Sequence, residues 1–317
     1  MFRLIARRLL TGLVILWAVS VVVFLATQAL PGDAAQAILG REATPERLAA
    51  LREQLHLGEP ILSQYLAWLH SIVTFDLGNS LASGLPVSEL LIPRISNSLV
   101  LMTVAGIIAT PLAIAIGAWS ALRRDTAGDH ATSTVTLVLA ALPEFVVGIF
   151  LVLLLSTGVF HLLPAVFVAK QAGPIWVDPT QLVLPALTLV LAVGPYIVRM
   201  MRATMLEVLE SEYVQQARLK GLPERVVLFR HALPNAIGPV AQVIALQMAW
   251  LAGGVVVVEY LFRFPGVGFA LVDAVNNRDL PVVQGLSVLI AAVYIVVNLA
   301  ADVVALATNP KVRTAGR

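Results

Sequence analysis

Six stretches of the chain stay mainly apolar for 18 residues or longer, and charged or Gly/Pro-bearing segments separate them. They are approximately Leu9–Leu30, Ser98–Leu122, Thr132–Phe160, Gln181–Val198, Pro234–Val258 and Val282–Ala307. Crossing roughly 30 Å of hydrocarbon at 1.5 Å per residue takes about 20 residues of helix. Lipid offers no hydrogen bonds, so each stretch is predicted to be a membrane-spanning helix. The expected fold is therefore all-α and polytopic. Pro111, Pro143, Pro185, Pro195 and Pro239 fall in or near these stretches and predict kinks. The first stretch follows Arg3, Arg7 and Arg8 and stays uncharged to Gly32, about 24 residues. A secretory h-region runs roughly 7–15, so a retained first span is expected.

Composition agrees with a lipid solvent. Of the 317 residues, 59% are hydrophobic and 13% charged, against roughly 45–50% and about 25% in soluble domains. The net charge of +2 gives no reason to expect a nucleic-acid partner. The chain has no cysteine, which excludes disulfides, iron–sulfur clusters and thiolate zinc sites. His56, His70, His130, His161 and His231 are scattered and form no His-Glu-x-x-His pair.

Charge sets the expected orientation. With the N-terminus in the cytoplasm, 14 of the 21 Lys and Arg residues fall inside and seven outside. That bias favours both termini inside, as an even number of spans requires. Residues 31–97 then form a long external segment. Thr44-Pro45-Glu46 reads as a helix start, with Leu48, Leu51 and Leu55 on one face and Gly58 as the stop. After Pro60 a second amphipathic helix is predicted, with Leu62, Tyr65, Leu66 and Leu69 on one side.

Residues 199–233 form the main cytoplasmic loop. Met205 to Lys220 reads as one helix, acidic first and basic last, which suits the helix dipole. Gly221 and Pro223 stop it. Leu206, Leu209, Tyr213 and Ala217 form its apolar side. Such a helix buries that side against lipid headgroups, the bundle or a partner's groove.

Counted from Gly221, the loop resembles the Glu-Ala-Ala, three residues, Gly, nine residues, Ile, one residue, Leu-Pro pattern of bacterial ABC importer permeases. Ala217, Gly221, Leu233 and Pro234 match it, whereas Gln215, Gln216 and His231 depart from it. Further ordered pieces resemble the dipeptide/oligopeptide/nickel branch of that family, where such departures are usual. They include Arg7-Arg8-Leu9, Leu30-Pro31-Gly32-Asp33, Asp76-Leu77-Gly78-Asn79-Ser80, Glu212-Tyr213-Val214 and Arg230-His231-Ala232-Leu233. Val257-Val258-Glu259, Phe264-Pro265-Gly266-Val267-Gly268 and Asp279-x-Pro281-Val282-Val283-Gln284-Gly285 complete the set. The long first external segment resembles the first, B-type, permease subunit.

The resemblance implies a single permease domain over 1–317 in the bacterial inner membrane. It implies a homologous second permease, two ATPase subunits and an external substrate-binding protein. Tyr213, Gln215, Gln216, Ala217, Gly221, Leu233 and Pro234 would carry ATPase coupling. ATP and magnesium would belong to the ATPases, with no cofactor on this chain. The chain holds no P-loop of its own: Lys170, Lys220 and Lys311 are its only lysines and none follows a glycine. Short peptides are the leading substrate, with nickel chelates, glutathione and haem as alternatives.

Other polar residues are weighed for a path or gate. Glu144 is expected inside the third span, where an ionisable group faces a cavity or partner, or else snorkels. Gln242 and Gln247 on the fifth span either line a path or bond a neighbouring helix. Glu259 is expected at the outer, hydrated end of that span. Pro265 and Gly266 read as a turn that helps close an outer gate. Asn298 and Asp302 are expected to contact the bundle. A membrane enzyme would need a nucleophile elbow, and no Gly-x-Ser-x-Gly occurs. An autonomous secondary transporter would show inverted halves, and no internal repeat is evident.

Overall fold

The computed structural model describes residues 2–29, 44–46, 60–168 and 178–308. Among them the regular structure is helical, and one isolated bridge, Asn79 to Pro86, is the sole β pairing. The helices are α1 (Phe2–Gln28), α2 (Ile61–Val73), α3 (Val87–Leu122), α4 (Ala127–Ala141), α5 (Glu144–Val152) and α6 (Thr180–Leu209). They continue with α7 (Glu212–Leu219), α8 (Glu224–Val226), α9 (Leu233–Leu261), α10 (Val267–Asn276) and α11 (Leu280–Thr308). Two π-helical segments, Leu153–Thr157 and Val227–Ala232, interrupt the series. Helices α1, α3, α6 and α11, and the α8–α9 run, are long and apolar enough to cross a bilayer. The bent pair α4 and α5 supplies a sixth span if it crosses as one.

That bend corrects the expected third span, Thr132–Phe160. The chain turns by 108° between α4 and α5. Proline has no N–H to give the carbonyl four residues back, and its ring drives the preceding residue out of the helical region. Leu142 accordingly sits at φ −89°, ψ 134°, and Pro143 at ψ 144°. The other four prolines lie inside continuous helices. Three further boundaries differ from expectation. α1 begins at Phe2, seven residues before the predicted Leu9. α3 begins at Val87, eleven residues before the predicted start, and its 36 residues reach about 54 Å. α6 runs on from Val198 to Leu209.

The chain divides into two compact units. The first takes in residues 99–264 with the terminal segments 1–5 and 296–317. Its centre is α6, packed by α9, α5 and α4. Leu189, Val193, Leu251, Val255 and Phe262 form one core there; Ile197, Met201, Ala232, Ala236 and Val240 form another. Lipid gives no hydrophobic drive between helices, so close approach relies on small residues. At Gly117 an added Cβ would stand 2.6 Å from the Val198 carbonyl oxygen. Glu259, expected to be hydrated, is fully buried in this unit. The chain beyond it folds back, Phe264 N–H donating to the Glu259 carbonyl (2.8 Å), which draws that helix end inward.

The second unit takes in residues 6–98 and 265–295. α2 packs on α1 through aromatic rings. Phe24 meets Tyr65 edge-on at 5.4 Å and Trp68 at 5.5 Å, and the Tyr65 and Ser20 hydroxyls lie 2.9 Å apart. The packing face of α2 is thus Tyr65 and Trp68. Leu62 and Leu66, assigned to it from the sequence, are exposed, because the ring pair offers more area than either leucine. Pro45 and Glu46 are helical; the remainder of the helix predicted through Leu48, Leu51 and Leu55 to Gly58 lies outside the described residues.

Candidate functional site

The predicted helix Met205–Lys220 is two helices. α6 ends at Leu209, and Ser211 turns extended (φ −69°, ψ 147°) before α7 begins. α7 buries Val214 and Ala217, spaced i and i+3, against Val227, Val208 and Leu209. Tyr213, expected on the apolar side, is exposed instead. The break at Ser211 resets the helical register, so Leu206 and Leu209 no longer share a face with Tyr213.

Gly221 closes α7. Its φ is +76°, the left-handed region that a side chain enters only at a cost. Gly221 N–H donates to Arg218 O (2.9 Å) and Leu222 N–H to Ala217 O (3.4 Å). That pair of bonds is the Schellman motif, which satisfies the last carbonyls of a helix. Arg218 donates to both oxygens of Glu224, the shorter bond being 2.7 Å. This bond holds the guanidinium above its ordinary pKa. The tie clamps the Gly221 turn from outside.

Beyond the turn, the π-helical segment Val227–Ala232 widens the chain before α9. Pro234 occupies the first turn of α9, where its missing N–H costs nothing. Leu233 is half-buried against the second core. Gln215, Gln216, Gly221, Leu222 and Pro234 are exposed. Leu219 is 87% and Phe229 70% exposed. The stub of α7 and the chain after it thus present apolar side chains outward from a small, capped body.

A feature the sequence reading missed lies beside this loop. Asp129, at the start of α4, is 1% exposed. It accepts from Arg202 Nε and Nη2, each at 2.6 Å, from Ser120 Oγ (2.6 Å) and from the Asp125 amide (3.0 Å). Asp125 takes φ +62° to aim that amide, a conformation aspartate tolerates. Arg124 adds an exposed bond to Glu210 (2.5 Å). Asp129 lies in the first turn of α4, just after the inter-span turn Arg123–Thr126, and only its partner's place on α6 reveals its role. The single available signal was a carboxylate three residues after the capping Thr126, whose hydroxyl accepts from Asp129 N–H (3.4 Å).

The residues proposed for a path or gate fall in both units. Glu144 is the first residue of α5, half-buried at a helix N-terminus that favours its charge. It stands after the Pro143 break, not within a continuous span. Gln242 and Gln247 are half-buried on α9. Among the described residues no hydrogen bond joins Glu144, Gln242 and Gln247. In the second unit the Pro265–Gly266 turn is pinned to α3: Asn97 Nδ2 donates to Pro265 O and Val267 N–H to Ser98 Oγ, both at 2.9 Å. Asn298 and Asp302 are half-buried on α11.

The quoted Asp76–Ser80 and Asp279–Gly285 pieces do meet. Asp279, 4% exposed, accepts from Ser80 Oγ (2.5 Å), Leu81 N–H (3.0 Å) and Ala82 N–H (3.4 Å). All three partners are donors, so Asp279→Asn turns one acceptor into a donor facing donors. It is expected to cost about 1–3 kcal/mol and to open the 80–85 turn. Thermal unfolding and limited proteolysis in detergent measure both; unchanged cleavage there would contradict the anchoring role.

Comparison with known proteins agrees with this architecture. Residues 113–314 match the family described as binding-protein-dependent transport system inner membrane component, and residues 1–102 match its N-terminal part. A probable peptide ABC transporter permease of Sinorhizobium fredii is 33% identical over 98% of both chains. A putative peptide transport system permease of Brucella abortus is 34% identical over 99% of both. The glutathione transport system permease of Shigella flexneri is 35% identical over 99% of both. With its five to six apolar helices, the chain is a multi-pass inner-membrane protein. It belongs to the family of binding-protein-dependent transport system inner membrane components.

Proposed function

We propose that this chain forms half of the translocation path of an ATP-driven importer of short peptides and couples that path to an ATPase through α7. The observation that carries the coupling role is α7 itself. It is a short helix on a capped turn, with its small core turned inward and Tyr213 and Leu219 turned out, and Leu222 and Phe229 in the chain just after it are exposed as well. An exposed apolar surface of this kind calls for a protein partner. Val208 and Leu209, at the end of α6, share the α7 core, so a push on α7 acts on the central helix of the bundle.

In this reading both termini and the α7 loop face the cytoplasm, in keeping with the two-to-one excess of Lys and Arg assigned to that side. The ATP and magnesium are the ATPases' own, and this chain performs no catalysis. A second, homologous permease completes the path, and an external binding protein delivers substrate. Peptide cargo rests on the relatives' names, which include peptide and glutathione systems.

The test is purification of the chain from its native membrane in mild detergent, with mass spectrometry of its companions and transport in proteoliposomes. A second permease and Walker-type ATPases are expected, with uptake of labelled di- or tripeptide that stops without ATP. Recovery of the chain alone, active without ATP, would overturn the reading in favour of a secondary transporter.

A further inference from the structure

The first unit contains a cavity of about 360 Å³ between α3, α4 and α6, within the roughly 300–1,000 Å³ typical of small-ligand sites. Its walls include Ala109 and Leu112 on α3, Val135 and Leu139 on α4, and Leu191 and Val198 on α6. Gly194 adds room: a Cβ there would meet nothing within 4 Å. The two hydroxyls in the lining are already engaged. Thr132 Oγ1 donates to Gly128 O (2.9 Å) and Thr136 Oγ1 to Thr132 O (2.8 Å). The side chains therefore offer a ligand carbon and no free donor. A peptide would lose the hydration of its amides there without replacement, at several kcal/mol per group. The cavity does not suit the cargo, and it suits a hydrocarbon chain.

One end of the cavity carries charge. Arg199 follows Val198 and stands four residues after Pro195, which also lines the cavity, so it continues the same face of α6. Arg199 is exposed, and no carboxylate pairs with it among the described residues. Trp119 stands three residues beyond the lining residue Ile116, with Arg123 stacked over its ring at 5.1 Å. Gly128 lies under the same ring, at the start of α4. Tryptophan and arginine together at a span's end mark the headgroup level. An apolar slot that ends at the Arg199 guanidinium, beside a tryptophan, is complementary to one class of molecule.

We propose that this cavity binds one acyl chain of an anionic phospholipid, with the lipid phosphate held by Arg199. The site lies outside α7 and does not depend on the importer reading.

The test uses the full chain with its co-purifying subunits, delipidated in detergent and titrated with phosphatidylglycerol or phosphatidylcholine under native mass spectrometry. The wild type is expected to retain phosphatidylglycerol about fivefold better, the effect of one cation near an anionic headgroup. Ala131→Phe, on the open rim of the cavity, is expected to abolish retention of both lipids at this site. Leu112→Trp, from the opposite wall, is expected to do the same and guards against a folding artefact of the first variant. Arg199→Gln is expected to keep lipid retention and lose the headgroup preference. Full retention in both filled variants would overturn the acyl site, and an unchanged preference in Arg199→Gln would overturn the headgroup contact. If filling the slot instead releases a co-purifying permease with lipid unaffected, the slot is a helix interface and the proposal fails.

Discussion

Asp129→Asn is expected to destabilise the protein by about 3 kcal/mol, lowering its unfolding temperature in detergent by about 6–12 °C. The carboxylate takes both arms of Arg202 and the fully buried Ser120 hydroxyl. An amide in its place offers one acceptor and two donors to a set of donors. Removing one member of a buried ion pair strands the other and costs about 3–5 kcal/mol. Arg202 keeps 28% of its side chain exposed, which sets the effect at the lower end. Arg202→Lys keeps the charge but loses the planar fork, so its loss should be smaller. Replacing both Asp129 and Arg202 by leucine should restore much of what either single change loses, since no charge is then left buried. A double variant as unstable as the sum of the singles would show that the pair does not act as a unit.

Gly221→Val is the second large effect, and it falls on coupling more than on folding. The αL conformation costs an L-residue roughly 1–2 kcal/mol, a factor of about 5–30 in the population of the native turn. An added Cβ meets nothing within 4 Å, so the cost starts as backbone strain, which the β-branching of valine raises. Membrane insertion and overall melting should stay near wild type. Substrate-stimulated ATPase activity of the assembled transporter should fall in step with the turn, at least severalfold. Gly221→Asn, which enters αL readily, should retain most activity, with Gly221→Ala between. A fully coupled Gly221→Val variant would count against α7 as the element that meets the ATPase.

The spans were legible in the sequence because apolar length is a direct statement about a bilayer. Their ends were not. Nothing at Val198 stops α6, since Arg199 and Arg202 are good helix formers whose charges the sequence assigns to a loop. Pro143 looked like the four prolines that helices absorb. Pro111 and Pro239 are as exposed as Pro143 and still continue their helices, so burial separates it only from the pair in α6. Pro185 and Pro195 are buried in α6, the most enclosed helix, where neighbours hold the line. Pro143 is exposed with an exposed Leu142 before it, and the chain takes the extended form that proline prefers. In the α7 loop the Gly221 stop was readable from glycine alone. The Ser211 break was not, because Glu210-Ser211-Glu212 carries no strong breaker. The Asp129–Arg202 pair spans 73 residues, and local pattern says nothing at that range.

The π-helical segment Val227–Ala232 has a consequence for how the chain can change length. A residue inserted into an ordinary α-helix swings everything beyond it by about 100°. In α9 that would turn Ala236 and Val240 out of their core. A π turn already holds one residue more than an α turn needs. Loss of a residue there relaxes the turn to α and leaves the faces on either side aligned. Among diverging copies of this gene, single-codon deletions between α7 and the end of α9 should therefore survive at 227–232 and be purged elsewhere.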